Sequence, residues 1–336
     1  MLVFAFRSRA TVRLLFRAAA DPKRAPRARS SRGAREPVLR ILLTGRNGQV
    51  GFELRRALAP LAEIVAVGHA ECDFARPQEI RRLVRSVRPA IIVNPAAYTA
   101  VDRAETEREL AFAINATAPR ILGEEAARLG AFVVHYSTDY VFDGTKHGAY
   151  DESDATRPRS AYGESKREGE LALLDATHHH LILRTGWVAG THGANFARTM
   201  LRLASERDSL SVVADQWGAP TSAALLADIT AHLVRQRQRQ VAREAFPYGT
   251  YHCVAAGETN WCDYARFVVG SAIQFGRPLK AGPAAIRAIT TAEYPTAASR
   301  PANSRLDTRK LREAFGLELP HWQTGIQHVV QQILGA

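Results

Sequence analysis

The stretch "VLRILLTGRNGQVGFELRRALAPL" (38–61) restricts the possible folds of this chain more than any other. An apolar run ends in Thr-Gly, Gly45, Gly48 and Gly51 follow at intervals of three, and an amphipathic helical pattern begins at once. A strand, a glycine turn and a helix in this order form the opening unit of a dinucleotide site. Glycine lets a pyrophosphate approach the backbone, and the helix N-terminus offers unpaired N–H groups and the positive end of its dipole.

The pattern continues. "EIVAVG" (63–68), "AIIVN" (90–94), "AFVVHYS" (131–137) and "LILRT" (181–185) read as short buried strands, with one long helical stretch expected over 102–129. Strands alternating with helices predict an α/β fold, a Rossmann-type doubly wound parallel sheet with right-handed crossovers. From about residue 187 the pattern loosens into turns at "GTHGAN" and "DQWGAPT". The expected division is a basic arm over 1–37, an NAD(P)-binding Rossmann domain over 38–186 and a smaller, mainly substrate-binding C-terminal lobe over 187–336. "TYHCVA" (250–255) is the candidate for a strand returning to the first sheet.

A net charge of +12 suggests nucleic acid until it is mapped. Residues 1–38 hold ten Lys/Arg against Asp21 and Glu36, so most of the excess sits in the arm and the body argues for no nucleic-acid partner. The arm's Pro-containing second half is expected to be disordered, and its first 20 residues could form a basic amphipathic helix. A nonessential extension, a targeting or membrane-surface segment and a polyanion-binding arm all stay open for it. No apolar run is long enough for a membrane span. Cys72, Cys253 and Cys262 are too scattered for a disulfide framework and fit reduced thiols in a cytoplasmic protein. His178, His179 and His180 read as a polar loop, and no spacing marks a metal site.

The chemistry concentrates in two places. "YSTDYVFDG" (136–144) is a strand end carrying Ser137, Thr138 and Asp139, and "YGESK" (162–166) places Tyr162 and Lys166 at i and i+4 on one helix face. A chain that writes Arg almost everywhere, with only five Lys, writes Lys at 166. Reduction of a carbonyl by a nicotinamide needs a proton donor at the oxygen. A phenol serves if a nearby ammonium and the oxidised nicotinamide lower its pKa. A compact, flexible ammonium reaches the ribose hydroxyls and the region of the phenol together, which favours Lys over Arg. The second strand ends "VAVGHAEC", with Gly68 and His69 where a ribose-binding acid would stand. NADPH is therefore favoured, with NADH still open. Asp73 and Phe74 could border the adenine, or Asp73 could simply cap the next helix.

These motifs, with "RPAIIVNPAAYTAVDRAE", "LRTGWV", "NFARTMLRLA", "DQWGAPT" and "RPANSRLDT", resemble the extended short-chain dehydrogenases/reductases, and within them the dTDP-4-dehydrorhamnose reductase family, over residues 39–333. The resemblance implies NAD(P)H-dependent reduction of the 4-keto group of dTDP-4-dehydro-L-rhamnose to dTDP-L-rhamnose, the last step of dTDP-rhamnose synthesis for cell-surface polysaccharide. It implies Tyr162 as proton donor assisted by Lys166, and Thr138 and Asp139 on the sugar. Gly48, Gln49 and Val50 would cradle the pyrophosphate, and Asp73 and Phe74 would border the adenosine. Ala97, Tyr98 and Thr99 would line the cofactor's path, with Tyr136 near it. Trp187 would wall the substrate pocket. Asn195 and Arg300, polar residues of the second lobe, are candidates for the nucleotide sugar, with Arg300 open between a phosphate contact and a surface ion pair.

The chain departs from the family pattern at Gly186, commonly Ser, and at Pro95, often Ala. The resemblance also leaves room for a homodimer and for Mg2+. Two alternatives stand beside it. One is another nucleotide-sugar reductase or epimerase; a dehydratase is disfavoured because Tyr140, not Glu, follows Asp139. The other is a non-catalytic subunit like the regulatory subunit of methionine adenosyltransferase, which would have no need to keep Thr138, Tyr162 and Lys166 together.

Overall fold

The computed structural model describes residues 39–240, 242 and 245–335; the basic arm lies outside them. The first half alternates as its pattern dictates. β1 (Arg40–Leu43) leads through the glycine turn into α1 (Gln49–Leu58), followed by β2 (Glu63–Ala66), α2 (Pro77–Val87) and β3 (Ile91–Asn94). The stretch expected as one helix is broken. A 3-10 turn (Arg103–Glu105) precedes α3 (Arg108–Phe112), a π turn (Ala113–Thr117) and α4 (Ala118–Leu129). The π turn holds the fully buried Asn115, whose side chain accepts from Tyr98 N at 2.8 Å and donates to Ser165 Oγ at 3.0 Å. A polar side chain serving loop and neighbouring helix is the physical reason for the break.

β4 (Phe132–Thr138), α5 (Ala161–Ala176) and β5 (His180–Thr185) complete the series. His180, expected in a loop, begins β5 and is buried, its Nδ1 2.7 Å from Thr177 O. The later chain carries β6 (Val188–Ala189), α6 (Phe196–Glu206), β7 (Leu210–Val213), β8 (Trp217–Gly218), β9 (Thr221–Ser222) and α7 (Ala223–Arg239). It ends with β10 (Gly249–His252), β11 (Thr259–Asn260), α8 (Trp261–Gln274), β12 (Ile286–Ile289), α9 (Arg309–Phe315) and α10 (Trp322–Leu334).

The main sheet is parallel throughout, in the order β2-β1-β3-β4-β5-β10. Its inner strands are apolar on both faces because helices cover both. On one side Leu54 and Leu58 of α1, with Leu226, Ile229 and Leu233 of α7 and Leu311 and Phe315 of α9, pack on Ile41, Leu43, Val93 and Val134. On the other, residues from α2, α4 and α5 pack on Leu42, Ile92 and Val133. The winding reverses between β1 and β3, and in such sheets the crevice at that reversal, beyond the carboxyl ends of the strands, is where ligands bind. β7 pairs with β12, β6 with β9 and β8 with β11 to frame a second core around Met200, Tyr264, Val268 and Trp322.

α5 meets β5 through a buried ion pair. Arg184 Nε and Nη2 donate to the two carboxylate oxygens of Glu170 at 2.9 and 2.7 Å, with both side chains under a tenth exposed. Removing one partner strands the other charge. Glu170→Gln should therefore lower the denaturation midpoint by an amount equivalent to about 3 kcal/mol, and Glu170→Gln combined with Arg184→Met should cost less. Urea titration checks both.

Candidate active site

Every strand of the first series delivers its functional residues to one edge. The loop after β1 turns at Gly45, which has φ 59, and hydrogen-bonds Gly48 N to Gly45 O at 2.9 Å. A Cβ on Gly51 would lie 2.1 Å from Gly45 O, so the helix can start this close to the turn only with glycine there. Gly45, Gly48, Gln49, Val50 and Gly51 line a cleft of about 610 Å³ together with Phe74, Ala97, Thr99, Tyr136, Tyr162 and Lys166. Ser137 and Thr185, at the ends of β4 and β5, line the same cleft, and their buried hydroxyls have no partner among the described residues. A glycine-walled channel with uncommitted buried hydroxyls at its far end fits a dinucleotide, with a polar ring substituent at the hydroxyl end.

Four sequence candidates are engaged elsewhere. Asp73 accepts from Ala75 N at 2.9 Å and meets Arg76, closing a turn ahead of α2; the N-cap position itself is Arg76, without a side-chain cap. Tyr98 donates its hydroxyl to Glu107 at 2.6 Å and packs beside Ala104 and Ala161. Asn195 caps α6 by accepting from Arg198 N, and its amide donates to Gln49 Oε1 at 3.0 Å, tying the glycine turn to the second lobe. Arg300 donates to Asp102 at 2.6 Å.

Ser160 caps α5 by accepting from Gly163 N. A Cβ at Gly163 would stand 2.2 Å from Tyr140 O, so glycine lets the helix press its first turn against the end of β4. That contact puts Tyr162 against the strand end. Its ring meets Tyr140 edge-on at 5.6 Å, and its hydroxyl lies in the neighbourhood of Thr138. Thr138 in turn donates to Asp139 Oδ1 at 2.9 Å.

The electrostatics differ from the sequence expectation in one respect. Burial pushes the Tyr162 phenol up, and only the neighbouring Thr138 hydroxyl opposes it; the protein by itself holds Tyr162 firmly as a neutral acid. Lys166 is buried, donates to Tyr136 O at 2.6 Å and approaches His135 Nε2 at 3.4 Å, and burial pulls its ammonium down to about 8. Asp139 is raised to about 6 by burial, which the neighbouring Ser304 and Thr138 hydroxyls oppose, and its Oδ2 has no partner among the described residues. A Cβ at Gly186 would sit 2.9 Å from Asp139 Cγ, so the Gly at this position gives that carboxyl its room.

A second cavity of about 590 Å³ opens beyond Tyr140, lined by Asp102, Phe196, Trp261, Tyr294 and Arg300 among others. Trp187 stacks on Trp261 at 3.6 Å from a left-handed backbone position, φ 49, that bulky residues seldom occupy. Strain of this kind collects where a side chain must be held for a ligand.

A model of the RmlD substrate binding domain family matches residues 39–334. The chain belongs to this family. It is 49% identical to the dTDP-4-dehydrorhamnose reductase of Escherichia coli (strain K12), over 88% of this chain and 98% of that one. The dTDP-4-dehydrorhamnose reductase of Clostridium acetobutylicum has a similar structure, with 32% identity, coverage of 88% and 100%, and a TM-score of 0.80. So does that of Bacillus anthracis in complex with NADP, at 34% identity, 88% and 100% coverage and a TM-score of 0.78.

In this RmlD-family chain the reading of the residues missed a pair at the end of β2. Glu71 accepts from Gly68 N at 2.8 Å and from Arg46 Nη2 at 2.7 Å, and a Cβ at Gly68 would fall 3.0 Å from Asn47 Nδ2 and 3.5 Å from Arg46 Cγ. A carboxylate does reach the end of β2, three residues further along than expected, and a guanidinium lies beside it. The i+3 return of a Glu to a backbone N–H was the available signal.

Two outcomes follow. Tyr162→Phe should lower turnover by about three orders of magnitude or more with cofactor affinity nearly unchanged, as fluorescence titration and steady-state kinetics would show. Asp139→Asn addresses stability. A carboxyl raised in the fold stabilises it below the unfolded value near 4 and loses that contribution as pH rises through about 6. The Asn variant should thus gain stability relative to the native chain at pH 7.5, by up to about 2 kcal/mol, and gain little at pH 4. Melting curves at the two pH values check it.

Proposed function

We propose that this chain is an NAD(P)H-dependent oxidoreductase that reduces the 4-keto group of dTDP-4-dehydro-L-rhamnose to dTDP-L-rhamnose. The observation that carries the reading is that Tyr162 and the buried Lys166, one turn apart on α5, both line the glycine-walled cleft, with the Thr138 hydroxyl beside the phenol. A reduced nicotinamide held by the glycine-walled cleft would supply the hydride for C4. Tyr162 holds the ketone oxygen and gives it the proton, and Thr138 joins it by turning its hydroxyl proton from Asp139 to that oxygen. The resulting phenolate is stabilised by the Lys166 cation until a proton returns from solvent. A phenol that the protein keeps neutral is loaded for donation, which suits net reduction.

The second cavity takes the nucleotide. Phe196, Trp261 and Tyr294 offer apolar and aromatic surface to a base, and Arg300 offers a guanidinium for which a diphosphate competes with Asp102. Asp139 orders Thr138, and Trp187, stacked on Trp261, backs the sugar.

NADPH is the preferred reductant on this reading. Arg46 stands beside Gly68, where a 2′-phosphate would arrive, and Glu71 holds it there while tempering its charge enough for NADH to be used. The same reading places the enzyme in the cytoplasm, as its three free, buried thiols fit, and allows a homodimer. No helix among the described residues is long and apolar enough to cross a membrane.

The test is oxidation of NADPH and NADH with enzymatically generated dTDP-4-dehydro-L-rhamnose, with the product identified by mass and NMR. Substrate-dependent oxidation yielding dTDP-L-rhamnose is expected; cofactor binding without oxidation would remove the proposal. Arg46→Ala should lower kcat/KM for NADPH by about 10- to 100-fold, the worth of a charge-assisted phosphate contact, and change that for NADH far less.

A further inference from the structure

A row of polar side chains crosses the otherwise apolar sheet just below its carboxyl edge and ends at the catalytic lysine. Thr44, Asn94 and His135 follow β1, end β3 and lie within β4, and Asn94 and His135 are register partners. None is more than 2% exposed, and neither is Lys166. Thr44 Oγ1 lies 2.5 Å from Asn94 Oδ1, Asn94 Nδ2 lies 3.0 Å from His135 Nδ1, and His135 Nε2 lies 3.4 Å from Lys166 Nζ. Ala96 N, in the switch-point loop, donates to Thr44 Oγ1 at 3.3 Å.

An ammonium has three protons and no lone pair. One proton of Lys166 goes to Tyr136 O, and Lys166 also lines the cleft, which leaves one facing His135 Nε2. That proton is satisfied only if Nε2 carries the imidazole lone pair, so the ring proton must sit on Nδ1. The neighbour of Nδ1 is the Asn94 amide, whose oxygen and nitrogen have the same shape. As placed, the amide turns Nδ2 to the imidazole and accepts from Thr44 Oγ1 at Oδ1; the Nδ1–H tautomer requires the amide turned over, its oxygen to the imidazole and its NH2 to Thr44.

We infer that His135 is a positioning residue of the reductase, held by Asn94 in its Nδ1–H tautomer so that Nε2 accepts from Lys166 and aims the remaining ammonium proton into the cofactor cleft. The inference rests on the reading of Lys166 as a working cation. Burial keeps His135 itself neutral, so it adds no charge beside the ammonium. The other titratable groups around the pair are Tyr162 and Glu170 of α5, the latter already committed to Arg184 of β5, and His180 of β5, which acts on His135. Glu170 is the one group that raises Lys166 against its burial, so losing the His135 acceptor leaves the ammonium more poorly held.

Two measurements test it. In the intact protein with 15N-labelled histidine, His135, assigned by its absence from His135→Gln, should show a protonated-type Nδ1 and an unprotonated-type Nε2 at neutral pH. A protonated Nε2 would overturn the inference. This readout needs no turnover, so it stands apart from any failure of the reductase assignment. In the pH profile of kcat/KM, His135→Leu should move the alkaline limb down by about one pH unit, the worth of one hydrogen bond to an ammonium. His135→Gln, which keeps an acceptor, should leave the limb near its native position, and the KM for the nucleotide sugar should change in neither. A limb that stays put in both variants, or shifts equally in both, would contradict the role. If His135→Leu does not fold, the tautomer and the glutamine variant still decide.

Discussion

Seating the Lys166 ammonium inside the protein is the constraint that the rest of the site answers to. A cation taken from water is expensive, and here burial, against the pull of Glu170, brings its affinity for protons down to about 8. What keeps it charged is local: a strand carbonyl at 2.6 Å, an imidazole nitrogen at 3.4 Å and the field of Glu170 one turn along the same helix. Each depends on α5 lying hard against β4 and β5. That approach depends on a glycine where the helix meets Tyr140 and on the Glu170–Arg184 pair that fastens its middle.

The same approach fixes the proposed proton donor. Tyr162 lies one turn before Lys166, and pressing that turn onto the end of β4 sets the phenol against Thr138. The parallel sheet does the remaining work by gathering its strand ends at one edge. β1 brings the glycine turn, β2 the Gly68 corner with Arg46 and Glu71, and β3 the Pro95–Thr99 loop. β4 brings Ser137 to Asp139, and β5 leads from Thr185 to the strained Trp187. The glycine turn, Gly68, Ala97, Ser137 and Thr185 thereby line one cleft with Tyr162 and Lys166, and Asn195 ties the later chain back to Gln49.

Much of this was legible in the sequence because it rests on short periods. A strand pattern ending in spaced glycines predicts the turn, and a Tyr and a Lys four residues apart share a helix face. Contacts that join distant segments were not legible. Nothing local to His135 marks it as other than a polar residue in a strand, and Asn115 looks like an ordinary helical residue until the π turn aims it at Tyr98 and Ser165. Asp73, Tyr98 and Asn195 sit in the right segments, but their side chains satisfy backbone groups or neighbouring residues. The phenol's upward shift was also out of reach, since burial is a property of the assembled fold.

The most direct measurement is a crystal structure of the complex with NADP+ and dTDP-L-rhamnose. The account predicts the pyrophosphate on the Gly45–Gly51 turn, Lys166 Nζ on the nicotinamide ribose, and the sugar's O4 within hydrogen-bond reach of both Tyr162 and Thr138. A sugar bound with O4 away from Tyr162, or a dinucleotide outside the glycine-walled cleft, would contradict it.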